Sequence, residues 1–199
     1  MRTLNMTKGR LASFLALATL CVASAAPAYA NLVTNGGFET GDLTGWTEVG
    51  DTPGSWWVIG IPLGGTPYSG TYNATTNAWR QTFQYIAQSI ATTPGLSYTV
   101  GFWLSNGDNI NDNEFVARWN GAPMIPLLNI DYSTPDYTYY SYTADATGSL
   151  TTIDFGYRFN AGWFDLDDVS MNPVPIPAAA WLLGSGLIGL VAIRRKLRK

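Results

Sequence analysis

Fourteen carboxylates and seven tryptophans lie between residues 31 and 172, against three arginines, Arg80, Arg118 and Arg158, and no lysine or histidine. A tryptophan is more often a core residue than a binding platform, but beside planar polar groups an exposed one can hold a sugar. The indole face stacks on the apolar C–H face of a sugar ring, and amide or guanidinium groups reach its hydroxyl edge. Trp56, Trp57, Trp79 and Trp119 are the candidate platforms, and Arg80, Arg118, Gln81, Gln84 and Asn120 are the candidate hydroxyl-binding groups. Trp56 and Trp57 are neighbours, so in a strand they point to opposite faces, one to a core and one outward. Trp46 and Trp103 are expected in the core.

The carboxylates invite a catalytic reading. A glycoside hydrolase needs two acids roughly 5–9 Å apart across a cleft. Asp112, Glu114 and Asp154 are the available acids, but no motif joins them, and 108–114 reads as an acidic loop. With no histidine in the chain, Ser-His-Asp and Cys-His catalysis and His-ligated metals are excluded. A single cysteine, Cys21, allows no internal disulfide or cysteine zinc site. A surface this acidic repels phosphates, so no nucleic-acid partner is expected. Asp165 and Asp167 alternate on one strand face and crowd there unless a cation or water intervenes. Taken together, the chain is expected not to be an enzyme.

The positive charges sit at the ends. Arg2, Lys8 and Arg10 precede the uncharged run Leu11 to Val22 and the small-x-small site Ala28-Tyr29-Ala30. That is a secretion signal spanning residues 1–30, cut before Asn31. At the other end Val174-Pro175-Ile176-Pro177 leads into an uncharged helix predicted over 178–193, closed by basic Arg194 to Lys199. Sixteen helical residues reach about 24 Å, so the span needs membrane thinning or snorkelling of the basic tail. The positive-inside rule leaves that tail in the cytoplasm and the acidic middle outside.

Between these ends, residues 31–172 have the length of one domain. Thr, Tyr, Val, Ile, Trp and Phe are abundant, and Gly, Asn, Asp and Pro punctuate them, which is an all-β pattern. Strands are predicted at 32–34, 56–59, 80–91, 96–105, 114–119, 137–144, 150–159 and 163–171. Thr93-Pro94-Gly95, Asn106-Gly107 and Asn120-Gly121 are turn signals. Tyr98, Val100, Phe102 and Leu104 share one face, as do Ile153, Phe155, Tyr157 and Phe159. In the run from Tyr137 to Tyr142, either Tyr140 and Tyr142 or Tyr137 and Tyr139 face the core. The fold class is therefore a two-sheet antiparallel β-sandwich or jelly roll, flanked by a signal helix and a transmembrane helix. Segments 40–55 and 60–79 read as long loops, the usual carriers of recognition. Asn73-Ala74-Thr75 matches a glycosylation pattern but is given no weight.

The tail, with its short proline motif, Gly-rich apolar helix and terminal basic run, resembles the PEP-CTERM sorting signal of Gram-negative bacteria. The sorting motif would be Val174, Pro175, Ile176 and Pro177; Ile176 stands where the namesake motif has Glu. The resemblance implies an exosortase-type membrane partner and release to the cell surface or an exopolysaccharide matrix. Three further segments resemble carbohydrate-binding modules of families four, nine and twenty-two. They are Asn31–Gly41 with Leu43-Thr44-Gly45-Trp46, then Thr93–Leu104, then Trp163–Ser170. That resemblance implies a jelly roll, and often a structural calcium where the first and last strands meet. Its ligands here would be Glu39, Asp168 or its neighbour Asp167, and a main-chain carbonyl near Gly41, the oxygen chemistry that calcium takes.

The expected function is thus a secreted, surface- or matrix-sorted protein whose sandwich binds a polysaccharide without catalysis. The alternative is a structural matrix or coat protein with no sugar pocket. An exposed tryptophan platform separates the two.

Overall fold

Alternating apolar residues divide the middle of the chain into strands with one buried face each. The computed structural model describes residues 30–51, 54–63, 65–76, 80–107, 113–124, 128–129, 134–159, 163–175 and 194. The expected signal segment to residue 29, the segment 178–193 where a helix is expected, Ile176, Pro177, Trp79 and Asp112 lie outside them. Among the described residues, no helix is long and apolar enough to cross a membrane.

The strands are β1 (Thr47–Val49), β2 (Trp56–Gly60), β3 (Tyr72–Thr76), β4 (Arg80–Ala91), β5 (Ser97–Asn106), β6 (Glu114–Trp119), β7 (Ala122–Pro123), β8 (Leu128–Asn129), β9 (Thr134–Asp145), β10 (Leu150–Phe159) and β11 (Phe164–Pro173). One sheet runs β1-β4-β10-β6-β7 with β8 beside β6, and the other runs β2-β3-β11-β5-β9. Every pairing is antiparallel. The fold is a β-sandwich of the jelly-roll kind.

Its core is aromatic. Phe102 from one sheet meets Phe155 from the other edge to face at 5.0 Å, and Trp56 meets Tyr157 likewise at 5.3 Å. Ring pairs of this geometry add about 0.5–1.5 kcal/mol each beyond the burial of their area. Phe38, Phe102, Phe115, Phe155, Tyr157 and Phe164 are fully buried. The two-residue period fixes the rest of the layering. Tyr140 and Tyr142 pack on the core, so Tyr139 takes the outer face and is half exposed.

Three expectations change. Residues 32–34 are not a strand. Asn31 clips this segment to β11 instead, its Nδ2 donating to Val169 O at 3.0 Å and its Oδ1 accepting from Met171 N at 2.9 Å. The chain then turns at Asn35, whose φ is 53°. The 60–79 segment is not all loop: it holds β3, which pairs on both sides, with β2 and β11. Only Ala74 of β3 is a buried apolar residue, so its hydrophobic signal is weak. The third change is β1, inside the expected loop 40–55, where Thr47 to Val49 add an edge to β4.

Candidate functional site

The site follows from alternation on the sheet containing β2. Trp56, Ala74, Leu166 and Leu104 point into the core, so Trp57, Thr75, Asp165 and Ser105 point out. Strand register places those four in one row: Trp57 opposite Thr75, Thr75 opposite Asp165, and Asp165 opposite Ser105. The next positions outward are Ile59, Asn73, Asp167, Trp103 and Tyr139 on β2, β3, β11, β5 and β9.

The segment after β2 folds over one end of this face. Tyr68 stacks on Trp103 at 3.8 Å and meets Tyr137 at 5.7 Å. Backbone anchors hold the segment down. Asp167 accepts from Ser69 N at 3.1 Å, and Glu39 Oε1 accepts from Thr71 N and Tyr72 N at 2.8 and 3.0 Å. The other end of the face stays open as a cleft of about 300 Å³, lined by Trp57, Ile59, Gly65, Thr66, Thr75, Trp163 and Asp165. That is the lower end of the ~300–1,000 Å³ usual for small-ligand sites. Trp163 is 44% exposed and is laid against Gly107, where an added Cβ would fall 1.8 Å from its Nε1. A glycine there is what lets the indole lie flat on β5's end.

The floor is acidic and buried. Asp165 is buried, accepts from Asn73 Nδ2 at 3.0 Å, and has its pKa raised by desolvation against hydrogen bonds from Thr75, Asn73 and Ser105. Asp167 is wholly buried, and desolvation pushes its carboxyl up to about 7. Beside them, burial first and then the charges of Asp165 and Asp167 push the Tyr137 phenol upward, so it stays neutral. Asn73, wholly buried and bonded to Asp165, is closed to glycosylation.

Of the expected platforms, Trp57 lines the cleft. Trp56 does not: it is 2% exposed, packs on Tyr157, and its Nε1 donates to Gln84 O at 3.3 Å. Trp119 does not either, because it shares the inward face with Phe115 and Ala117 and packs near Tyr98. Gln84 is buried, its side chain beside Gly50. Arg118 follows from Trp119: the neighbour of an inward residue faces outward, here on the opposite sheet, where it pairs with Asp154 at 2.5 Å and covers the Tyr85 ring at 3.7 Å. Asn120 is a turn residue with φ 49°, and its Oδ1 accepts from Thr152 N at 2.8 Å. Arg80 opens β4 in that same opposite sheet. Trp103, expected in the core, is on the outer face; alternation from Phe102 and Leu104 carried that signal. Asp165 was legible as a strand residue, while Trp163, expected to open that strand, lies just before β11; neither was legible as a cleft wall, because only the fold brings β11 beside β3.

Two of the three acids weighed for hydrolysis are paired on the opposite sheet, and Asp112 lies outside the described residues. Glu114 is ion-paired with Arg158, and Asp154 with Arg118.

The acids expected at a calcium site converge loosely. A Cβ placed on Gly37 would lie 3.2 Å from Asp168 Oδ1, 3.8 Å from Glu39 Cγ and 3.9 Å from Asp167 Oδ1. Asp168 adopts φ 47° where the β11–β5 register shifts. Gly41 packs on the Tyr72 ring. Among the described residues, no group of three or more His, Cys, Asp or Glu side chains converges on one metal position. An ion there would need backbone carbonyls beside one or two carboxylates, which is within calcium's habits.

No family model and no curated protein matches this chain. Solved structures do. A family 61 carbohydrate-binding module solved with β-1,4-galactotriose superposes with a TM-score of 0.60 at 18% identity, over 73% of this chain and all of the module. The CBM22-1 xylan-binding domain of Paenibacillus barcinonensis Xyn10C gives 0.52 at 14%, over 70% of this chain and 92% of that one. These modules share its jelly-roll fold. The enzymatically active domain of bacteriophage CBA120 tailspike protein 4 gives 0.53 at 14%, and this chain spans only 21% of its length.

Proposed function

We propose that the cleft binds a polysaccharide chain without cleaving it. The observation that carries this is the meeting of Trp57 and Trp163 over a polar floor of Thr75 and Asp165. Indole faces take the apolar faces of sugar rings, and the floor takes their hydroxyl edges. Glu114 and Asp154, two of the acids weighed for hydrolysis, are engaged with arginines on the opposite sheet. The modules that share this fold are consistent with that reading.

In this proposal residues 1–30 direct export and the tail is processed at Val174 to Pro177 by an exosortase-type partner. The helix at 178–193 anchors the chain until then, and the domain ends on the cell surface or in an exopolysaccharide matrix. A structural calcium held by Glu39 and Asp168, with Asp167 and the carbonyl near Gly41 as further donors, would supply a charge clip between the first turn and β11.

Affinity electrophoresis of the full chain in neutral detergent, against galactan, xylan and other matrix polysaccharides, tests the binding. Retardation is expected, and is lost in Trp57→Ala and in Trp163→Ala. A folded chain retarded by none of the polymers would favour the structural coat protein instead.

A further inference from the structure

The two outer faces of the sandwich treat charge in opposite ways. Among the described residues both ion pairs, Arg118–Asp154 and Arg158–Glu114, sit on the sheet containing β4. The cleft face carries Asp165 and Asp167 along β11. No described lysine or arginine side chain lies on that face, and the only other basic residue between 31 and 172, Arg80, belongs to β4. The groups that support Asp165 are Asn73, Thr75 and Ser105, all neutral. A carboxylate held out of water by neutral donors gains most from a cation brought to it.

A sugar ring stacked on an indole aims its equatorial substituents sideways, and in this cleft one side is the Asp165 floor. A uronic acid would bring a second anion there. A hydroxyl would make an ordinary hydrogen bond. An ammonium on the ring would make a charge-assisted one, and its charge is also attracted by the indole faces of Trp57 and Trp163.

We propose that the cleft selects polysaccharides carrying free amino groups, hexosamine units with an unacylated nitrogen, over neutral ones, and rejects uronic acid polymers. This rests on the polysaccharide-binding reading and names the class of sugar.

The test uses oligosaccharides with one β-1,4 gluco backbone that differ only at C2: cello-oligosaccharide with a hydroxyl, chitin oligosaccharide with an acetamide, and fully deacetylated chitosan oligosaccharide with an amine. Binding to the full chain in neutral detergent is measured by calorimetry at about pH 6, below the ~7.7–8.0 of a typical α-amino group. The deacetylated chain is expected to bind at least about tenfold tighter than the other two, a gap of ~1.4 kcal/mol. Asp165→Asn brings it to parity with the cello-oligosaccharide. Asp136→Asn, which removes an exposed acid of the same sheet, leaves the preference in place. Thr66→Lys, on the exposed cleft wall, provides an independent route should Asp165→Asn fail to fold: it abolishes the preference and admits oligogalacturonate. Equal binding of the three, or a preference that survives both Asp165→Asn and Thr66→Lys, overturns the amine selectivity. Binding of neutral galactan or xylan alone overturns it too but leaves the cleft a polysaccharide site. No binding of any glycan removes both readings.

Discussion

One face of the sandwich is finished and the other is not. On the face of β4, β10 and β6, each acid whose side chain is described has its guanidinium, and each of those guanidinium groups has its ring. Arg118 joins Asp154 and lies over Tyr85, and Arg158 joins Glu114 and lies 5.2 Å from Phe83. Gly156 makes room for this layer, because a Cβ there would fall 2.2 Å from the Tyr85 ring. On the face of β3, β11 and β5, Gly107 plays the same part for Trp163, but the ring is left half exposed and the neighbouring acids face neutral groups. The same strand physics builds both. The difference is whether the charges and rings find partners within the chain, and that separates a surface that closes itself from one shaped to receive something.

The largest stability effect should come from opening the closed face. Gly156→Leu forces Tyr85 off β10 and away from Arg118, and should cost about 2–3 kcal/mol as overpacking does, read by denaturant melts, while polysaccharide retardation stays. If retardation fell in step with stability, the two faces would not be independent.

A smaller loss should follow Arg118→Met. It leaves Asp154 buried without its cation, at about 1–2 kcal/mol given that Arg118 is partly solvated. The sign of the pH dependence sharpens this. Burial raises the Asp154 carboxyl above its ordinary 3.8 even against the Arg118 guanidinium. A raised folded pKa means that the fold gains from protonation of Asp154. That contribution is present in full below 3.8 and is lost as pH rises through the folded value. In Arg118→Met the folded value rises further, so the loss should extend to higher pH and grow larger, and Asp154→Asn added to it should flatten the curve. A melt series across pH in which the two variants titrate alike would contradict it.

The smallest stability effect and the largest binding effect should coincide on the open face. Trp163→Ala should change stability by no more than about 0.5 kcal/mol, as surface changes do, yet weaken polysaccharide binding at least tenfold. A substantial fall in melting temperature would mean that the indole serves the fold instead.

Much of the fold was legible because burial writes a period of two into a strand. β4, β6 and β10 begin and end where the alternation and turn residues place them, and β5, β9 and β11 differ by a few residues at their ends. β3 escaped because Asn73, Thr75 and Thr76 are polar and only Ala74 marks its inner face, although all four are buried. The fold can bury them because neighbours on both sides take up their backbone hydrogen bonds.

The site was legible only in fragments. Alternation alone separated Trp56 from Trp57, and it makes Trp119 and Arg118 opposites as well. It could not say which face meets which, since a strand's period does not record its sheet partners. Composition and patterning determined that this chain builds a β-sandwich, acidic between two basic ends, with more aromatic rings than one core needs. Tertiary structure decided the rest. It set β11 between β3 and β5, folded Tyr68 over one half of their outer face, and left Trp57 and Trp163 beside a buried acid in the other half. Those choices depend on contacts between residues some hundred positions apart, Asn73 with Asp165 and Ser69 with Asp167 among them. Local sequence does not carry such contacts, because they form only when the whole core closes.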